Sequence, residues 1–519
     1  MAKCNFNNCS LDTIENGDKC ILHCVKGEYS EDSRKINFLE SFNDKLIDHV
    51  LDKIFEYHTE NVFPTRIQLK VFLNGTEGDR YKIEKIKSFL QNKEIRISNV
   101  SFPEHDNRDL FDYKKALEKI EGIHFDLCEF YVSSLDIKNS KLFFQQCIFH
   151  KKWFLHNYMI LKNDRKVLYE NCDFREDIST VFEFNEKPEL DNPIFSDCIF
   201  AKSIILEEVK IKNRLFKDTG DKALILKKIS IYKCIFSDKF ILNNYKIDEF
   251  ICTDSFFNEK IEFKNNRAIL FDINNTNFSK LVDCYNTLYQ KFQIKKSIFE
   301  DFVNFENCEF GIVANPQDRE NMAVFLYATM MSFINFRHAK FHSGLDLAHI
   351  NLKEPPNFFN AIVQPYNTNR ETFRIIKYSF DKVGNYIEAN NFYKMEMMKL
   401  KEELKLNRKH STYFLLWLYE QTSNYGQSYI RPIVLTMLFS FAYWLLIIGY
   451  ENNLLYSICP SLNSSWEYIF KIINGISKHI MPISKVLKEG MEFISLLFYI
   501  TFTSFIWLII LAIKRSTKR

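Results

Sequence analysis

The chain has 519 residues, with 69 Lys plus Arg against 66 Asp plus Glu and a formal charge of +3. That length leaves room for more than one domain. The near balance of charge excludes both the basic stripe of a nucleic-acid binder and the acidic surface of a DNA mimic, so no nucleic-acid partner is expected.

Residues 4–24 read Cys4-x4-Cys9-x10-Cys20-x2-His23-Cys24. Two ligand pairs separated by a loop are what a tetrahedral Zn²⁺ site needs. The expected ligands are Cys4, Cys9, Cys20 and His23, with Cys24 as the competitor to His23. Residues 1–30 hold almost no large apolar side chains, so zinc would supply their folding free energy. Four protein ligands leave no open position, which makes the site structural. No apolar signal segment follows Met1.

Ile36, Leu39, Phe42, Leu46, Val50, Leu51 and Ile54 recur at helical spacing and predict an amphipathic helix. Between 62 and 124 the pattern predicts a short strand at Ile67–Phe72 and helices over 81–92 and 110–120. Residues 31–124 thus read as a small α+β cap, placed to cover the open strand edge of a repeat domain on its C-terminal side.

From 125 to 365 a Phe repeatedly lies two residues after a small side chain. The pairs run Cys128/Phe130, Cys147/Phe149, Cys172/Phe174, Cys198/Phe200, Cys234/Phe236, Ser255/Phe257, Thr276/Phe278, Ser297/Phe299, Cys308/Phe310 and Ala339/Phe341. From Phe236 to Phe299 the step is 21 residues three times running; elsewhere it is 19, 25, 26, 31 or 36, and once 11. Apolar residues also flank many of these rings at five positions, as in Phe125–Phe130–Leu135. Nested periods of five and about twenty predict a solenoid with four short sides per coil. Residues two apart on a strand face the same way, so a narrow interior pairs each large ring with a small neighbour. The cysteines at the small position are expected to be packing thiols. Coils stack about 4.8 Å apart, so such a column would risk crosslinks unless kept in a reducing cytoplasm.

Phe373–Leu406 turns helical with a break at Gly384-Asn385, and 366–422 reads as a helical cap. Within it, Tyr413–Tyr419 suits the lipid interface. Residues 423–519 read as a membrane hairpin with spans at about 432–450 and 494–513, both free of charge and long enough for a bilayer. Lys514, Arg515, Lys518 and Arg519 place the C-terminus in the cytoplasm, and two spans put the N-terminus there too. The loop 451–493 would face the exterior, with a short amphipathic or re-entrant helix at Trp466–Ile476.

The small-x-Phe pattern resembles the pentapeptide-repeat proteins, here in degenerate form. The juxtamembrane Ser423-Asn-Tyr425-Gly426-x-Ser428-x2-Arg431-Pro432 and Phe392-Tyr393-x2-Glu396 are similar to those of bacterial membrane-anchored members. The resemblance implies a mainly β solenoid, a right-handed quadrilateral parallel β-helix, in a bacterial inner membrane. It lends no activity, since the repeat is a scaffold. Some members end in an ion-channel module, but 451–493 holds only Gly475 and Gly490 and no filter-like run. No Walker loop, Gly-x-Gly-x-x-Gly, Gly-x-Ser-x-Gly or His-Glu-x-x-His occurs, so no enzyme is expected. The expected function is a membrane-tethered scaffold for a protein partner, with the bilayer as second partner and a homo-oligomer left open. The alternatives are an ion-conducting oligomer with a two-helix pore gated by the soluble part, and a membrane-permeabilising defence effector.

Overall fold

The computed structural model describes residues 3–6, 9–14, 17–26, 32–56, 63–75, 80–91, 93–104, 111–135, 137, 140–156, 167–181, 189–190, 194–212, 214–217, 223–312, 318–406, 410–451, 469, 472–474 and 487–517. They form two compact units, divided at Asn367.

The first unit is built around a parallel β-solenoid of about 10 turns, and among the described residues its coils pair with one another in parallel throughout. Its interior is built from four stacked columns. One runs Phe102, Phe130, Phe149, Phe174, Phe200, Leu226, Ile247, Ala268, Tyr289, Phe310, Phe341 and Val363. The opposite one runs Ile211, Phe236, Phe257, Phe278, Phe299, Met330 and Leu352. The recurrent Phe therefore occupies two different sides of the coil. The 36-residue step from Phe200 to Phe236 and the 11-residue step from Phe299 to Phe310 are the places where the series changes sides.

Between them lie a third column, Ile204–Ile229–Phe250–Phe271–Phe292, and a fourth, Phe125–Phe144–Tyr169–Phe195. Within each column the rings lie face to face near the strand repeat, for example Phe236–Phe257 at 4.4 Å and Phe310–Phe341 at 4.7 Å, both at 4°. Between columns they meet edge to face, as Phe144–Phe149 at 5.7 Å and 63°. Both geometries suit the ring quadrupole. Every small residue of the ten small-x-Phe pairs is buried.

Most corners are turned without glycine, Gly311 and Gly344 being the left-handed glycines among the described solenoid residues. The residue just ahead of the small inward one adopts a left-handed backbone: Asn171 (φ 53°), Asn275 (φ 49°), Asn307 (φ 58°) and Asn360 (φ 55°), but also Lys233 (φ 51°) and Lys296 (φ 48°). Asn tolerates this conformation best among residues with a Cβ, which is how so glycine-poor a chain closes so many coils.

The ladder reaches back to Glu94. Glu94–Ser98 pairs with Gly122–Asp126, and Ser101–Phe102 with Glu129–Phe130, so coil pairing extends into the stretch expected as a cap. Helix α1 (Asp32–Phe55) buries Leu39, Phe42, Leu46, Val50, Leu51 and Ile54. Phe42 meets Phe102, the end ring of the first column, edge to face at 6.1 Å.

The strand expected at Ile67–Phe72 is instead helix α2 (Arg66–Leu73). Thr65 and Gln68 form a reciprocal capping box, and Leu69 and Leu73 share one buried face. Helices α3 (Arg80–Leu90) and α4 (Tyr113–Leu117) complete this end.

The second unit is helical. Asn369 caps α5 (Arg370–Lys382), accepting from the Thr372 amide at 2.8 Å. Gly384 (φ 76°) makes the break, and α6 (Tyr386–Leu406) folds back so that Phe380 and Phe392 stack at 5.6 Å. Helix α7 (His410–Ser423) exposes Phe414, Leu415, Trp417 and Leu418.

Helices α8 (Ile430–Glu451) and α9 (Glu492–Thr517) are long and apolar enough to cross a membrane. They lie antiparallel. The Tyr443 hydroxyl donates to Ser495 Oγ at 2.9 Å, and Phe439 meets Phe505 at 5.4 Å. Glu451 pairs with Lys488 at one end. At the other, Arg515 donates to Tyr419 Oη (3.0 Å) and Tyr425 O (2.7 Å), its guanidinium 4.7 Å over the Tyr393 ring. The outward face carries Met437, Phe441, Trp444, Ile506, Trp507 and Ile510, all exposed. The helix expected at Trp466–Ile476 lies outside the described residues, except helical Ile469 and 472–474. Cys459 lies outside them too.

Candidate metal centre

Two short segments converge at the N-terminus. Lys3 and Asp12 form an antiparallel bridge reinforced by their ion pair at 2.8 Å, and the Cys4 amide donates to Leu11 O at 3.0 Å. The Cys9 amide donates to Phe6 O at 3.1 Å, turning Cys9 back toward Cys4. The second segment is one helical turn: the amides of His23 and Cys24 donate to Cys20 O at 3.1 and 3.0 Å.

These turns bring Cys4, Cys9, Cys20 and His23 together, with ligand atoms all within 4.8 Å of one another. Cys9 Sγ lies 3.7 Å from Cys20 Sγ, and His23 Nδ1 lies 3.5 Å from Cys4 Sγ and 3.2 Å from Cys20 Sγ. A tetrahedron with metal–sulfur bonds of ~2.3 Å has edges of roughly 3.8 Å. The group can therefore hold one metal ion with little movement.

Burial, together with the nearby charges of His49, Lys26 and Lys19, holds His23 down to about 4, so its imidazole is neutral as a ligand must be. Its ring stacks on Phe6 at 4.4 Å. Burial pushes the Cys20 thiol up to about 12. Burial also acts against the Cys4 thiolate, but hydrogen bonds outweigh it and lower the group, the Cys20 amide donating to its sulfur at 3.2 Å. Metal binding at Cys20 would therefore release a proton.

Cys24 stays outside the cluster. Its thiol donates to Ile21 O at 3.6 Å and accepts from Lys26 Nζ at 3.0 Å. The same ammonium donates to Ile21 O (2.7 Å) and Cys24 O (2.9 Å), although Lys26 is only 5% exposed. This buried ammonium is what spacing alone misses. The only signal is a Lys two residues after the last cysteine, and that signal is weak.

Comparison with protein-family models, with curated proteins and with solved structures returned no match.

Proposed function

We propose that the protein is a non-enzymatic scaffold in which the solenoid is tethered to a membrane by the α8–α9 hairpin and offers its faces to a protein partner. The observation that carries this reading is the hairpin itself. Two long apolar helices pack on each other through Tyr443, Phe439, Ser495 and Phe505 while turning Trp444, Trp507 and their neighbours outward. So large an exposed apolar surface is unstable in water and natural in lipid. The spans also keep their hydroxyls to themselves. Thr501, Thr503 and Ser504 donate back to the carbonyls of Leu497, Tyr499 and Ile500, which suits an anchor better than an aqueous pore.

The finer features accord with the same reading. The metal is a structural Zn²⁺, and the repeat is a degenerate form of the pentapeptide-repeat solenoid. The membrane is a bacterial inner membrane, with both termini on its cytoplasmic side, the side that Lys514 and Arg515 mark. A chain ending before residue 430 should be recovered soluble, and the full chain in the membrane fraction after alkaline wash. Recovery of the shortened chain in membranes would refute the tether. Ion currents from purified full-length protein in planar bilayers would favour a channel instead.

A further inference from the structure

The turn that carries two of the four metal ligands also closes the first coil. Leu22 lies between Cys20 and His23, and its carbonyl accepts from the Ser101 amide at 2.8 Å. Ser101–Phe102 is the first strand of its sheet and pairs on its other side with Glu129–Phe130. Leu22 thus occupies the place that a preceding coil would fill. An open edge there would offer the Ser101 N–H to any passing strand.

Among the described residues the segment has few other contacts to hold it there. Leu22 is buried, and Lys26 lies beneath the turn with its ammonium 5.4 Å from the Phe42 ring and 5.6 Å from the Phe38 ring of α1. The arm bearing Cys4 and Cys9 meets the turn through the Cys20 amide to Cys4 Sγ, the Asn5 amide to Asp18 O and the Phe6–His23 ring stack, besides the ligand cluster. A segment of this size with so few apolar side chains needs a staple.

We propose that a metal ion bound by Cys4, Cys9, Cys20 and His23 locks this turn onto the Ser101 edge, so that the solenoid has a metal-dependent end cap. The proposal rests on the structural-metal reading and adds a task to it. Binding joins the two segments, and its free energy holds Leu22 on the strand. Cys24 has a different part: it anchors the Lys26 ammonium under the turn, which accounts for a cysteine next to a ligand that is not itself one.

The test uses the full chain in detergent, loaded with Zn²⁺ or treated with a chelator, and hydrogen exchange read by mass spectrometry. The loaded protein should hold about one Zn²⁺ per chain. On chelation, exchange at Ser101 should rise about tenfold or more while residues 245–295 stay protected. Cys9→Ser should behave like the chelated protein, and Cys24→Ser should keep the metal. Zinc that leaves without changing exchange at Ser101 would overturn the lock and leave the metal site standing. Deprotection that spreads through 245–295 would overturn a local cap. Failure to bind zinc at all would overturn the metal reading itself.

Discussion

Phe257 lies in its column between Phe236, 4.4 Å away, and Phe278, 5.2 Å away, and meets Phe240 edge-on at 5.6 Å. Replacing it with Ala would remove a ring from a stack whose neighbours are fixed by backbone pairing above and below, so the cavity cannot collapse. We expect Phe257→Ala to destabilise the solenoid by about 3–5 kcal/mol, read as a lowered denaturant midpoint with an unchanged slope. A loss below ~1 kcal/mol would mean that the column is not close-packed.

On the outer surface, Glu262 meets Lys260 Nζ at 2.6 Å and Lys264 Nζ at 3.2 Å, and Lys264 reaches Asp283 at 3.0 Å in the next coil. Burial acts against the carboxylate, but the two ammonium groups outweigh it and hold Glu262 down to about 2. A folded value below the unfolded one, ~4.3, stabilises the fold at neutral pH and is lost as pH falls toward 2. Glu262→Gln should therefore be less stable than the parent at pH 7, with most of that difference gone at pH 2, by urea unfolding at both. A difference that grew on acidification would contradict this sign.

At the scale of elements, what the sequence reveals depends on what a period can encode. A ring beside a small residue, repeated every coil, reports that both point inward, and all ten small partners are buried. The period does not report which of four sides a ring occupies, because every side makes the same demand on volume. Phe200 and Phe236 therefore look alike in sequence and lie in different columns. The corners were hidden for a related reason: the left-handed position is filled by Asn and Asp but also by residues such as Leu, Gln, Lys, Tyr and His, and only Asn, Asp and His carry a conformational signal.

Ile67–Phe72 alternates like a strand, but Thr65 and Gln68 supply a helix start that outweighs the alternation. Among the site residues, Cys4, Cys9, Cys20 and His23 were legible because ligand chemistry constrains spacing. The exclusion of Cys24 was not, since it depends on Lys26 and on Phe38 and Phe42 in another element. The two long apolar helices were the easiest elements to read, because an uncharged apolar run of that length stands out in any sequence.

For the whole solenoid, each coil touches only its neighbours, so cooperativity depends on how strongly adjacent coils couple. The four columns run with few breaks, and their aromatic and aliphatic contacts pass from coil to coil; such coupling favours unfolding as one unit over fraying from either end. Eight cysteines report on this along the length of the stack: Cys128, Cys147, Cys172, Cys198, Cys234, Cys252, Cys284 and Cys308 are free and buried. Burial pushes the Cys252 and Cys284 thiols up to about 12, which removes the reactive thiolate as well as access to it. We expect N-ethylmaleimide to leave all eight unmodified in the native chain. In rising denaturant they should become labelled together, at the same midpoint as the loss of β-sheet circular dichroism. Labelling resolved residue by residue by mass spectrometry makes the test directional. Modification of Cys128 or Cys308 well below that midpoint, with Cys234 and Cys252 still protected, would show the ends peeling away, and the column contacts would then be too weak to bind the coils into one cooperative unit.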